Sequence, residues 1–236
     1  VLTIGGVSGT FTITTEVASA YGDSVSFDLG TGTALASGEE AGAVRRSNYS
    51  NPTGSPNISV TDLIDQTGAA TTLDVVTTDF NGNVTTRAVD DGETDFHMFE
   101  RGIRVNTTTG TIDFSRIPYS TYDVFIYFDE LSASVAGNTL DISDGTTSHQ
   151  IVATGASRYA GQTYTEGSAG NYVKFSGLTS ASAAVDATSS NPGRWAIVGV
   201  QVVETVAVAD PGTAFSGSAS GTMVENGDDL DITVDS

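Results

Sequence analysis

The chain has 236 residues, 38% of them hydrophobic, enough for one sizeable core or a core with an appendage. It carries 29 acidic against 9 basic side chains, a formal charge of −20, so it lacks the basic face that phosphate contacts require, which argues against nucleic acid and anionic membrane surfaces as partners. It has no cysteine, which excludes disulfide scaffolds and cysteine nucleophiles, and no apolar run long enough to cross a bilayer as a helix, so no membrane insertion is expected.

Glycine is abundant, and serine and threonine occur in almost every window, a composition that fits many short strands joined by turns. In residues 1–22, VLTI is followed by a Gly5-Gly6 break and then by an alternating run in which Phe11, Ile13 and Val17 share one face. SVSFDLG is a second alternating strand with Val25, Phe27 and Leu29 inward. ALASGEEAGAV, residues 34–44, is helix-like but weakened by Gly38 and Gly42. A polar, proline-containing loop covers 45–57.

Asn81-Gly82 lies between β-prone runs, and the dipeptide predicts the tip of a two-residue hairpin. An acidic loop, DDGETD, covers 90–95. The segments FHMFERGIRVNTT and GTIDFSRI are expected to pair across Gly110. The stretch 110–130, GTIDFSRIPYSTYDVFIYFDE, organises the rest: strand, turn at Pro118, strand. In its second strand Val124, Ile126 and Phe128 point one way, Phe125 and Tyr127 the other. Both faces are apolar, so this strand is central and covered on both sides.

Beyond it, TLDISD and TSHQIVAT flank a hairpin signal at Asp144-Gly145, and a polar loop follows at 155–170. NYVKFSGL, SASAAVDAT and RWAIVGVQVVE close the body near Glu204. Residues 205–236 are rich in small residues and end in an alternating strand, with Leu230, Ile232 and Val234 on one face. More than about a dozen short strands with little helix predict an all-β, two-sheet antiparallel β-sandwich of jelly-roll type. Its expected core is Phe27, Val124, Ile126, Phe128, Val173, Phe175, Ile197 and Val200. The expected organisation is a body at 23–204 flanked by strand extensions at 1–22 and 205–236, the latter alternatively the start of a further domain. Because the chain begins at Val1, a mature or trimmed product is expected.

Three segments together, SFDLGTGTALASGEEAGAVRRSNYSN, IPYSTYDVFIYF and NYVKFSGLTS with RWAIVGVQVVE, carry a resemblance. Over about residues 23–204 the chain resembles a galactose-binding-like jelly-roll domain that serves as a repeat unit in large secreted proteins of Planctomycetes and Verrucomicrobia. The resemblance implies an extracellular or cell-surface, non-catalytic module. Its motifs are core strands, so they carry fold rather than chemistry.

No G-x-S-x-G, P-loop, H-E-x-x-H or EF-hand pattern occurs, and His97 and His149 stand alone in their neighbourhoods. Asp90, Asp91, Glu93 and Asp95 offer the oxygen ligands that calcium takes, and a solvated acidic loop is the alternative. Tyr159, Tyr164 and Trp195, with Arg158, are the residues that suit a glycan, because aromatic faces stack on sugar rings and arginine binds hydroxyls or carboxylates, and the alternative is that Trp195 caps the core and the tyrosines rim a loop. Two function classes follow: a structural subunit that forms a homo-oligomer or polymer in a filament, sheath or surface array, and a carbohydrate-binding module. For the first, residues 1–17 or 228–235 supply a strand between subunits, since an amphipathic strand needs a sheet edge to join, and the alternative is that both tails fold back on their own domain.

Overall fold

The computed structural model describes residues 20–29, 40–47, 56–85, 98–99, 101–131, 136–156, 158, 163–206, 221–226 and 229–234. The chain divides into two units, residues 20–206 and a second that joins 1–19 with 207–236.

The first unit is a sandwich of two antiparallel sheets. One sheet runs β10 (Tyr172–Leu178), β7 (Tyr122–Glu130), β12 (Trp195–Val206), β5 (Arg101–Arg104) and β4 (Asn83–Thr85), with β1 (Ala20–Asp28) also paired to β12. The other runs β2 (Ser59–Val60), β3 (Asp74–Thr78), β6 (Gly110–Ser115), β11 (Ala183–Ser189), β8 (Thr139–Ser143) and β9 (Ser148–Val152). We call them the β7 sheet and the β6 sheet. Every residue expected in the core is buried between them, together with Phe114, Leu140, Ile142 and Ile151 from the β6 sheet. Burial of such side chains stabilises by ~1.5–3 kcal/mol each.

Strand β7 is buried along its whole length. Val124, Ile126 and Phe128 belong to the core between the sheets, and Phe125 and Tyr127 to a second apolar cluster on the outer face. Strand β12 is two-sided as well. Between Ile197 and Gly199 its register shifts, and a Cβ at Gly199 would come within 2.7 Å of the Met98 side chain and 3.1 Å of its carbonyl. Glycine there lets the 98–99 turn lie directly on the sheet. Of the helix-like stretch, the described part is a turn closed by pairing of Ala41 with Arg46.

Two pairings expected from sequence are corrected. Asn81-Gly82 is not a hairpin tip, because β3 lies in the β6 sheet and β4 in the β7 sheet. The chain crosses between sheets here. Phe80 is buried in the core, and Asn81 N–H donates to the Arg104 carbonyl at 2.9 Å instead of closing back on β3. Positive φ falls on Asp79 and Gly82, not on both residues of the dipeptide. Likewise β5 and β6 do not pair across Gly110 but belong to opposite sheets. The turn at Pro118 is also a crossing: Ile117 and Tyr119 are buried beneath it, and β6 and β7 lie in different layers. The Asp144-Gly145 hairpin is observed, joining β8 to β9, with the Asp144 carboxylate accepting from the Thr146 and Thr147 amides at 2.9 and 2.6 Å.

In the second unit β13 (Gly221–Asn226) pairs antiparallel with β14 (Asp229–Val234) as a two-stranded sheet. The final strand therefore has a partner in its own chain.

Candidate functional site

The glycan candidates do not form a platform. Trp195 is fully buried in the core, its ring edge-on to Phe128 at 6.1 Å, so neither face is open to a sugar. Of the two readings of this tryptophan, the core is where it lies, and the loop-end binding site loses its main support. The cause is local: Trp195 opens β12 and faces inward in the register that also buries Ile197. Arg158 lies 5.6 Å from the indole centre, and the structure does bring these two together. However, its guanidinium is engaged structurally, 3.8 Å from the buried Glu130 carboxylate and hydrogen-bonded to the Val152 carbonyl. Glu130 in turn accepts from the Thr154 and Gly155 amides at 3.1 and 2.8 Å, and Asp129 accepts from the Arg158 amide at 2.9 Å. These contacts fasten the start of the 155–170 loop to the end of β7. Tyr164 sits elsewhere, on the outer face of the β7 sheet, packed on Phe99 and Tyr127. Tyr159 lies outside the described residues.

That outer face is roofed. Ala41 and Val44 from the 40–47 turn, with Met98 and Phe99, cover Phe125, Tyr127, Ala196, Val198 and Val203. The roof is held by polar side chains that sequence reading did not single out. The Gln201 amide donates to Ser26 Oγ at 2.9 Å and to the Val44 carbonyl at 2.8 Å, and its Oε1 accepts from the Val44 amide at 3.3 Å and from the Tyr127 hydroxyl. The Ala43 amide donates to the Tyr127 hydroxyl at 2.7 Å and the Gly42 amide to that of Tyr164 at 3.0 Å. Burial pushes the Tyr127 phenol well above its ordinary pKa, so it stays a neutral donor. A lone glutamine among apolar residues of a predicted strand was the available signal.

The outer face of the β6 sheet is bare. Pairing registers place Thr78, Thr111, Asp186, Ser143 and Ser148 in one row and Val76, Asp113 and Ala184 in another, all exposed or half-buried. Among the described residues these rows contain no aromatic ring that could stack on a sugar.

Asp90, Asp91, Glu93 and Asp95 lie outside the described residues, as do Phe11, Ile13 and Val17. Among the described residues no group of three or more acidic or histidine side chains is arranged to hold a metal ion. Leu230, Ile232 and Val234 fall on β14, paired with Glu225, Met223 and Gly221 of β13. Strand β13 and the two-residue connection between Asn226 and Asp229 were missed from sequence, although Asn226-Gly227 carries the same hairpin signal as Asn81-Gly82. No protein-family model and no curated protein matches this chain.

Proposed function

We propose that this chain is a non-catalytic structural subunit of the extracellular space or cell surface, which adds a strand of one copy to a sheet of the next and so builds a filament, sheath or surface array. The observation that carries the reading is the hairpin β13–β14. It belongs to a different unit from the sandwich, and among the described residues neither of its outer edges has a partner strand. A two-stranded hairpin is marginal in water by itself and is stabilised by a third strand. When that strand comes from another copy, the contact joins two different surfaces, and such contacts give open polymers unless the rotation closes a ring. The charge of −20 opposes lateral clumping of the polymer. The extracellular setting rests on the resemblance of residues 23–204. The bare, ring-free face of the β6 sheet and the burial of Trp195 favour this reading over a carbohydrate-binding module.

Removing residues 221–236 tests it. The full chain is expected to form polymers by sedimentation velocity and negative-stain microscopy. The shortened chain is expected to stay monomeric while keeping the far-UV spectrum and melting transition of the sandwich. A shortened chain that polymerises as before, or a full chain that is monomeric at high concentration, overturns the proposal.

A further inference from the structure

A strand that adds to a neighbour needs an open sheet edge, and among the described residues the sandwich covers parts of two edges and keeps two others short. The free side of β1 is occupied: the Gln66 amide donates to the Ser24 carbonyl at 3.1 Å, Gln66 Oε1 accepts from the Ser24 amide at 2.6 Å, and Arg46 caps the Tyr21 and Gly22 carbonyls. The edge of β10 is crossed at Tyr172 by the Glu166–Gly167 segment and bulged towards Leu178, where the Gly177 amide turns to Asp123. Strands β2 and β4 have two and three residues.

Strand β9 is different. It ends its sheet, has five residues, and carries no charge, proline or bulge. Those are the usual devices that keep an edge from pairing. The uncharged run extends over 146–154, TTSHQIVAT, in a chain of −20. Val152 is the most exposed large hydrophobic side chain among the described residues, at 48%. The ladder fixes which backbone groups face outward. The Ala153 amide and the Thr147 carbonyl bond towards β8, so odd-numbered residues point inward and Ser148, Gln150 and Val152 point to the open side. The Val152 carbonyl is taken by Arg158, which among the described residues leaves the amides of Ser148, Gln150 and Val152 and the carbonyls of Ser148 and Gln150 for an added strand.

We infer that the open edge of β9 accepts β13 of a second copy, extending the β6 sheet from one subunit into the next; the inference rests on the proposed assembly. Paired strands set side chains about 4.5–5.5 Å apart, where like charges are destabilising. An edge without charge offers no opposite charge to a charged strand, so the less charged strand of the hairpin suits it better. Gly221, Thr222, Met223 and Val224 of β13 are uncharged and its single charge, Glu225, lies towards its end, whereas β14 carries Asp229 and Asp231. The lengths also match, five residues on β9 against six on β13.

The native chain has no cysteine, so engineered disulfides report contacts between copies. Full-length Gln150→Cys is mixed with full-length Thr222→Cys, Met223→Cys or Val224→Cys, a set that covers the registers, and oxidised under assembly conditions. A mixed disulfide between Cys at 150 and one of the three is expected as the dominant product, identified by mass spectrometry. In parallel, Gln150→Pro, which removes an outward amide at an edge position that tolerates proline, is expected to abolish polymers and leave the melting transition in place. A dominant disulfide between two copies of Gln150→Cys would mean that β9 pairs with β9 across a twofold axis, and overturns β13 as the occupant. Polymers that persist in Gln150→Pro and vanish on removal of 221–236 overturn β9 as the acceptor and leave the proposed function standing. Polymers that survive both changes overturn the inference and the function together.

Discussion

The two outer faces of the sandwich differ in how they meet water. The outer face of the β7 sheet is roofed by the 40–47 turn, Met98-Phe99 and Tyr164, and its central strands β7 and β12 are buried on both sides. The outer face of the β6 sheet is open, and its strands alternate, as in β6 with Ile112 and Phe114 in and Asp113 and Ser115 out. The comparison teaches that a roof needs polar fasteners as well as apolar contact. A short turn has few side chains to bury, and its backbone amides lose water when it lies on a sheet. Here the amides of Gly42, Ala43 and Val44 find Tyr164, Tyr127 and Gln201. The open face needs no such arrangement, since water completes its hydrogen bonds.

The largest effect that separates the faces is expected from truncating an outward side chain on each. Phe125→Ala, beneath the roof, should lower the unfolding free energy by about 3–5 kcal/mol. Asp113→Ala, on the open face, should change it by no more than about 0.5 kcal/mol. Urea titrations of both variants check this, and a Phe125 variant as stable as the Asp113 variant would show that the roof adds nothing.

A smaller effect is expected at the fastener. Gln201→Leu keeps the volume near constant but leaves the Val44 amide and carbonyl and the Tyr127 hydroxyl without their partner, a loss of about 1–3 kcal/mol. Hydrogen exchange sharpens the comparison. The amides of Ala43 and Val44 should lose protection in this variant, while those of β6 keep theirs. Equal loss across both sheets would mean that Gln201 stabilises the whole fold rather than the roof.

What was legible in the sequence follows the same division. YDVFIYFDE and WAIVGVQVVE are apolar on both faces, and both proved central and covered. TIDFS and TLDIS alternate, and both have an open face. The sheet in which each strand lies was not legible. Alternation tells which side of a strand is buried, and it says nothing about which of two layers supplies that strand. So Asn81-Gly82 looked like a hairpin when it is a crossing, and the pairing of β5 with β6 was expected where the two lie in opposite sheets. The turn signal at Asn81-Gly82 was real, since Gly82 has φ of 75°, but a turn residue does not reveal whether the chain returns beside itself. Trp195 illustrates a different limit. Both a core and a ligand role were open for it, because an aromatic ring at the start of a strand has the same sequence signature whether it faces the core or a ligand, and the structure places it in the core.

The smallest effect belongs to the open side and to acid. At the margin of the β6 sheet, Arg116 donates from Nε and Nη2 to the Asp74 carboxylate, each at 2.7 Å, and from Nη2 to Asp62 at 2.8 Å. This clasp joins the end of β6 to the 61–74 segment, and Thr72 Oγ1 adds a bond to the Arg116 carbonyl at 2.7 Å. The hydrogen bonds from Arg116 hold the Asp74 carboxyl below its ordinary pKa. A carboxyl whose folded pKa is depressed binds its proton more readily in the unfolded chain. Its contribution to stability is thus fully present above the unfolded value, about 3.9, and is lost as pH falls through the folded value. Asp74→Asn removes that contribution at every pH. The variant should therefore be less stable than the parent at neutral pH, and the gap in melting temperature should narrow below about pH 4. Because Arg116 is half exposed, salt should narrow the gap as well. Buried Gln201 does not titrate, so the penalty of Gln201→Leu should survive both acid and salt. A gap for Asp74→Asn that is unchanged at low pH would mean that the clasp acts through shape and hydrogen bonding alone, and that the open face owes nothing to the charge of Asp74.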